Sequence, residues 1–268
     1  MSLGCPKNLV DTEIMLGRLV QSGWEVVDTA EAAQLLLVNT CGFIQDACKE
    51  AVDTILELAR HKEADSSKRL VVTGCLVQRY GEALATDLPE VDFFIGVNDF
   101  PNLAEILERE AGTGDGGITE GRPGTGDRRL FHQAKPYGYC EPEPRYPATP
   151  AHLAYLKIAE GCSHRCTFCT IPQIRGPWRS RPLATLVAEA EALAASGVKE
   201  LILVAQDTTA YGLEQPGHPK LPELLTALSA IPGLTWIRLM YTHPARITRK
   251  LLEVMAAQPR ICPYVDLP

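Results

Sequence analysis

Eight residues carry the densest chemistry in this sequence: Cys162-Ser-His-Arg-Cys166-Thr-Phe-Cys169. Three cysteines at C-x3-C-x2-C spacing place three thiolates on one short loop. A structural zinc site takes four closed ligands, and a catalytic one takes three plus water, usually with histidine or a carboxylate among them. A disulfide framework wants an even count and an oxidising compartment. Three thiolates on one loop instead suit a cubic 4Fe–4S cluster with one iron left open. An open iron can bind a small molecule, which makes such a cluster a catalyst rather than a relay for electrons.

Three further cysteines share a position rather than a motif. Cys5 follows Ser-Leu-Gly, Cys41 follows Leu-Val-Asn-Thr, and Cys75 follows Val-Val-Thr-Gly. Each comes just past a strand-like run, beside glycine or threonine. In a parallel α/β sheet the carboxyl ends of the strands share one edge, where ligands bind. Residues 5, 41 and 75 would meet there as a second three-thiolate site. The alternative is three small buried hydrophobes. Cys48 falls on the apolar face of its helix and reads as core. Cys140 and Cys262 have no spacing partner, and none of these last three is assigned a role.

The elements that must hold these residues follow from periodicity. Asn8 to Ser22 reads as a helix, with Asn8 as its N-cap and Asp11 three residues on. Apolar runs at 34–39, 70–72 and 93–97 alternate with helical periods at 44–59, 78–87 and 101–110. Runs buried on both faces and separated by helices argue for a parallel α/β sheet. From about 111 to 150 the pattern breaks into glycine- and proline-rich sequence that reads as a linker. Alternation then resumes, with strands expected at 153–159, 200–205, 235–240 and 263–267 and helices at 183–196, 221–230 and 248–257. Four successive β/α units suggest a barrel or part of one. The division expected is a cluster-binding domain over 1–112, a linker over 113–150 and a second α/β domain over 151–268.

Gln206 and Asp207 follow one of these runs on the same edge as the cysteine loop, and Glu160 precedes that loop. All three are candidates to orient a cofactor, although Asp207-Thr-Thr equally suits a helix-capping turn. His243, in Thr242-His243-Pro244, reads as an ordinary loop residue. Arg175, Arg179 and Arg181 read as a solvated face, with acidic groups of a partner or a cofactor carboxylate as the alternative. Formal net charge is −7, so there is no broad basic field for nucleic acid. No window approaches the roughly 18 apolar residues of a membrane span, and the first residues lack the apolar core of a signal peptide. The expected location is the cytoplasm, where thiols stay reduced and cysteines read as metal ligands first.

The two cysteine trios together resemble the radical S-adenosylmethionine methylthiotransferases. Cys162-x3-Cys166-x2-Cys169, with Phe168 before the last cysteine, is similar to the radical-SAM pattern. Cys5, Cys41 and Cys75 match the extra N-terminal domain of the methylthiotransferases. The runs Ser2-Leu-Gly-Cys-Pro-Lys-Asn8 and Tyr155-Leu-Lys-Ile-Ala-Glu-Gly-Cys162 resemble the ribosomal-protein, or RimO-type, branch. The resemblance implies an N-terminal methylthiotransferase domain followed by a radical-SAM partial barrel. It implies two 4Fe–4S clusters, the one at Cys162, Cys166 and Cys169 binding S-adenosylmethionine through its open iron. One electron then gives methionine and a 5′-deoxyadenosyl radical, which abstracts hydrogen from the β-carbon of an aspartate in small-subunit ribosomal protein S-twelve. The cluster at Cys5, Cys41 and Cys75 is implied to carry or deliver the sulfur. An electron donor of flavodoxin or ferredoxin type and a sulfur donor are implied as partners.

Relatives of this kind continue past the position of Pro268 with more of the barrel and a small TRAM domain. The expectation is therefore a truncated chain, prone to aggregate and without turnover by itself. Three other readings compete. A methylthiotransferase for transfer RNA would show a basic RNA-binding module. A two-cluster electron carrier would offer four cysteines per cluster. A structural zinc protein would hold zinc. Metal analysis after anaerobic purification separates the zinc protein from the cluster readings. Two cubane clusters give about eight iron and about eight sulfide per chain, and zinc in their place would overturn the cluster reading.

Overall fold

The computed structural model describes residues 1–111, 129–130, 142–214, 216–217 and 220–267. They fall into two compact units. The first takes in 1–111 with 129–130, 144–146 and 168–175; the second takes in 142–143, 147–167 and the described residues from 176 onward.

The first unit is built on a parallel sheet in the order β1 (Leu35–Thr40), β2 (Arg69–Gly74), β3 (Phe93–Ile95), β4 (Arg129–Leu130). Leucine- and valine-rich runs form β1 and β2 because both faces are covered, leaving no polar alternation to signal a solvated side. Leu36, Val38, Leu70, Val72 and Phe94 pack with Ile55 and Leu58 of helix α2 (Gln45–Ala64) in one core. Helices α1 (Pro6–Gln21), α3 (Cys75–Asp87) and α4 (Leu103–Ala111) complete the unit. Residues 1–3 run beside β1: Ser2 bridges Asn39 in parallel, and the Leu3 amide donates to the Asn39 carbonyl at 2.9 Å.

Two helix starts differ from the sequence expectation. Helix α1 begins at Pro6, with Cys5 in extended backbone as its N-cap, rather than at Asn8. Proline at the first helical position has φ already set and no N–H to leave unsatisfied. Helix α3 begins at Cys75 itself rather than at Gln78, because Gly74, at φ +101°, turns the chain straight from strand to helix.

The second unit holds the parallel strands β5 (Leu153–Lys157), β8 (Glu200–Val204) and β9 (Trp236–Leu239) in the order β5-β8-β9. Between them run helices α6 (Leu183–Ala195) and α7 (Leu221–Ser229), and α8 (Arg249–Ala257) follows. A two-residue antiparallel pair, β6 (Ala159–Glu160) with β7 (Arg179–Ser180), sits beyond β5. Leu156, Leu201, Leu203, Leu224, Ile237 and Leu239 are fully or almost fully buried in this core. The parallel α/β reading therefore holds in both units.

The run at 263–267 forms no strand. Ile261 makes a single bridge to Ile237, and the chain then leaves the ladder. Pro263 has no N–H for a ladder bond, and Asp266 turns its carboxylate to the Tyr241 amide at 2.8 Å. Among the described residues no helix is long and apolar enough to cross a membrane.

Two stability predictions follow from the first unit. A Cβ on Gly74 would stand 2.3 Å from Asn39 Oδ1 and 2.4 Å from the Thr40 carbonyl oxygen. Gly74→Ala is expected to cost about 1–3 kcal/mol or more in urea denaturation, and an unchanged midpoint would contradict this account of the turn. Burial raises the Asp99 carboxyl from its ordinary 3.8 to about 6. The folded state thus holds a proton that the unfolded state has lost, so stability falls as pH rises from about 4 to about 6. Asp99→Asn should flatten that part of the stability–pH curve; a parallel decline in the variant would assign it to other groups.

Candidate functional site

In the first unit, the loops carrying Cys5, Cys41 and Cys75 leave one edge of the sheet. The register pairs Thr40 with Gly74 and Asn39 with Ser2. Cys41 and Cys75 are therefore the first residues past adjacent strands, and Cys5 is three residues past the bridge. A glycine adjoins each cysteine, and none has room for a side chain. A Cβ on Gly4 would meet Cys41 Cβ at 2.5 Å and Sγ at 3.1 Å, and one on Gly42 would meet Leu76 Cα at 2.7 Å. With Gly74 already excluded, the backbone around the three thiols packs closer than any substituted residue permits.

Asn8 ties these loops together. It is fully buried, and its Nδ2 donates to the carbonyls of Leu3 at 3.1 Å and Thr40 at 2.9 Å. Its Oδ1 faces the Cys75 thiol at 3.7 Å and accepts from Arg175 Nη2 at 2.5 Å. Its backbone carbonyl accepts from Asn39 Nδ2 at 2.8 Å. The sequence reading as an N-cap missed this role. The available signal was Pro6, which starts the helix early and turns Asn8 inward.

Arg175 is another residue the sequence placed wrongly. It ends the short helix α5 (Ile171–Arg175), which belongs to the first unit, and it is 2% exposed rather than solvated. Its Nε donates to Cys75 Sγ at 3.2 Å, and its Nη1 pairs with Asp11 Oδ2 at 3.1 Å. Burial pushes the Cys75 thiol up, and the Arg175 charge and hydrogen bond oppose that shift.

Among the described residues no group of three His, Cys, Asp or Glu side chains is placed to hold a single metal ion. A cubane is a different demand, since each thiolate takes its own iron at its own corner and the sulfurs need not converge. Three thiols outside any disulfide on close-packed glycine turns suit that group in donor type.

In the second unit, Cys162 is buried; Cys166 is exposed. The chain then passes to Phe168, which is 81% exposed, and to the partly buried Cys169, both in the segment grouped with the first unit. Gly161, at φ +77°, lets the loop press against Pro177, and the Cys162 amide donates to the Gly176 carbonyl at 3.0 Å. Glu160 fixes the loop entry. Its Oε2 pairs with the buried Lys157 at 2.8 Å, and its Oε1 accepts from the Gly161 amide at 2.9 Å and from Gln206 Nε2 at 3.2 Å. Gln206 Oε1 is buried with no hydrogen-bond partner among the described residues.

Asp207 caps the turn at 208–210 by accepting from the Thr209 amide at 3.1 Å. Its other oxygen meets His164 Nε2 at 2.8 Å and Arg246 Nη1 at 2.6 Å. His243 stacks on His164 with ring centroids 4.9 Å apart. Ser163, His164, Trp178, Glu214 and Arg246 line a cleft of about 190 Å³ beside this cluster. Arg181 is buried against Glu189 at 2.5 Å, so it too departs from the solvated face expected. Cys48 packs at the margin of the first core, Cys262 is buried beyond β9, and Cys140 lies outside the described residues.

Two family models match successive stretches of the chain. Residues 1–96 match the family described as Uncharacterized protein family UPF0004, and residues 156–268 match the radical SAM superfamily. The chain is 47% identical over 269 residues to the ribosomal protein uS12 methylthiotransferase RimO of Geobacter sulfurreducens, covering 100% of this chain and 57% of that protein. It is 49% identical over 268 residues to the protein of the same name from Moorella thermoacetica, covering 100% of this chain and 58% of that protein. Among solved structures it is similar to the radical S-adenosylmethionine methyltransferase TsrM from Kitasatospora setae. That match has a TM-score of 0.61 at 19% identity, covering 92% of this chain and 56% of that one, a likeness of fold alone. The second half of the chain is thus a radical SAM domain. With the UPF0004 match before it, the chain is similar over its whole length to proteins named as RimO methylthiotransferases. It spans about 57% of the length of those relatives.

Substitutions at the two polar hubs separate their roles. Asn8→Ala is expected to cost about 1–3 kcal/mol for each buried carbonyl left unsatisfied, read by urea denaturation of the whole chain. Glu160→Gln removes the Glu160 charge from buried Lys157, and removing one partner of such a pair typically costs about 3–5 kcal/mol. A loss below about 1 kcal/mol at either site would refute the hub assignment.

Proposed function

We propose that the full-length protein adds a methylthio group to the β-carbon of an aspartate in ribosomal protein uS12. The observation that carries this reading is the 47% identity to a uS12 methylthiotransferase over the whole of the chain. Cys162, Cys166 and Cys169 hold one 4Fe–4S cluster, and Cys5, Cys41 and Cys75 hold a second. When bound, the first cluster supplies one-electron cleavage of the sulfonium of S-adenosylmethionine, and the second carries the sulfur to be transferred.

The protein's own residues bind and position. Glycine turns bring the backbone against Cys5, Cys41 and Cys75. The Lys157–Glu160 pair sets the direction of the chain into Cys162. Gln206 Oε1 offers a buried acceptor to an amino or hydroxyl group of S-adenosylmethionine. Asp207 and Glu160 act by holding the turns around that ligand. The protein works in the cytoplasm, with a reductant of flavodoxin or ferredoxin type and a sulfur donor as partners.

The test is coexpression of the full-length protein with its ribosomal substrate, followed by mass spectrometry. The expected result is one added methylthio group on uS12, absent when Cys162, Cys166 and Cys169 are changed to alanine. Modification of transfer RNA with none on uS12 would overturn the substrate assignment.

A further inference from the structure

A buried guanidinium rarely touches a thiol without consequence. Arg175 does so while held on two other sides, by the Asp11 carboxylate and by the Asn8 amide oxygen. The rotamer is therefore fixed, and Nε is the atom aimed at Cys75 Sγ. Ile174, the preceding residue, packs with Cys75 and Val97, so the helix end is anchored by apolar contact as well as by charge. Arg175 stands six residues past Cys169, on the same stretch of the first unit.

We infer that Arg175 is a positioning residue for the cluster at Cys5, Cys41 and Cys75, orienting the Cys75 sulfur and raising the reduction potential of that cluster. The inference rests on the cluster reading proposed above. Hydrogen bonds to ligating sulfur and a nearby positive charge both stabilise the more negative, reduced state. Asp11 acts in the opposite sense. Its negative charge, 3.1 Å from the guanidinium, offsets part of that effect. The triad Asp11, Arg175, Cys75 therefore sets the potential by a difference of charges, and neutralising Arg175 or Asp11 should move the potential in opposite directions.

The experiment uses the whole chain with Cys162, Cys166 and Cys169 replaced by alanine, so that one cluster remains after anaerobic reconstitution. Iron analysis should give about four iron per chain. The midpoint is then read by electron paramagnetic resonance during one-electron titration with dithionite. Arg175→Gln is expected to shift the midpoint to lower potential, Arg175→Lys to shift it less, and Asp11→Asn to shift it higher. A folding defect alone would not produce shifts of opposite sign. If Arg175→Gln does not fold, Arg175→Lys and Asp11→Asn carry the test. Iron at the expected level with midpoints unmoved, or moved in the same direction by all variants, overturns this inference and leaves the cluster reading standing. No iron in the parent triple variant overturns the cluster reading and this inference with it.

Discussion

The first unit depends on what one buried amide can reach. Asn8 sits where three chain reversals meet, and its side chain satisfies carbonyls from two of them while facing the thiol of the third. Backbone carbonyls at the ends of parallel strands have no ladder partner beyond the last register pair, and burial makes them costly unless something donates to them. Asn8 supplies both donors from one rigid group. Thr40 adds a third tie by donating its hydroxyl to the Thr73 carbonyl at 2.6 Å, which locks β1 to β2 at the place where both stop. The edge of the sheet is thus held by side chains where main-chain pairing ends.

The second unit solves a related problem with charge. Lys157 at the end of β5 and Arg181 just beyond β7 are both buried, and each is neutralised by a carboxylate close in sequence, Glu160 or Glu189. Arg181 also donates to the Lys157 carbonyl at 2.9 Å, which links the two ion pairs across the short β6–β7 pairing. Such pairs contribute little net stability over apolar packing, but breaking either leaves an uncompensated charge. Their effect here is geometric. The chain between β5 and the cysteine loop is fixed in direction by groups that tolerate no other arrangement.

Much of this was legible in the sequence, for a physical reason. Apolar runs buried on both faces announce parallel strands, and Cys41 and Cys75 fall just past two of them on the carboxyl edge of the sheet. The positions of β1, β2, β5, β8 and β9 followed directly. What periodicity could not reveal was which charged side chains pair inside the fold. Arg175 and Arg181 looked like a solvated stretch because their carboxylates are named by the fold: Asp11 lies more than a hundred residues away, and Glu189 is on a helix whose facing is set by packing. Asn8 was misread because its type suits a helix cap, while proline two residues earlier had already moved the cap to Cys5. The expected strand at 263–267 failed because an apolar run says nothing of whether each residue can donate, and Pro263 cannot.

The six thiols are not equally sheltered. Cys75 and Cys162 are closed off from solvent, whereas Cys166 stands in the open beside an exposed phenyl ring. When these sulfurs are unligated, oxidants arriving from water reach the loop at 162–169 before they reach the sheet edge. Conversion of Cys166 to sulfenic acid, or its capture by a neighbouring thiol, would close the loop while leaving the other trio intact. Among the six, Cys166 is therefore the sulfur an oxidant in water touches first.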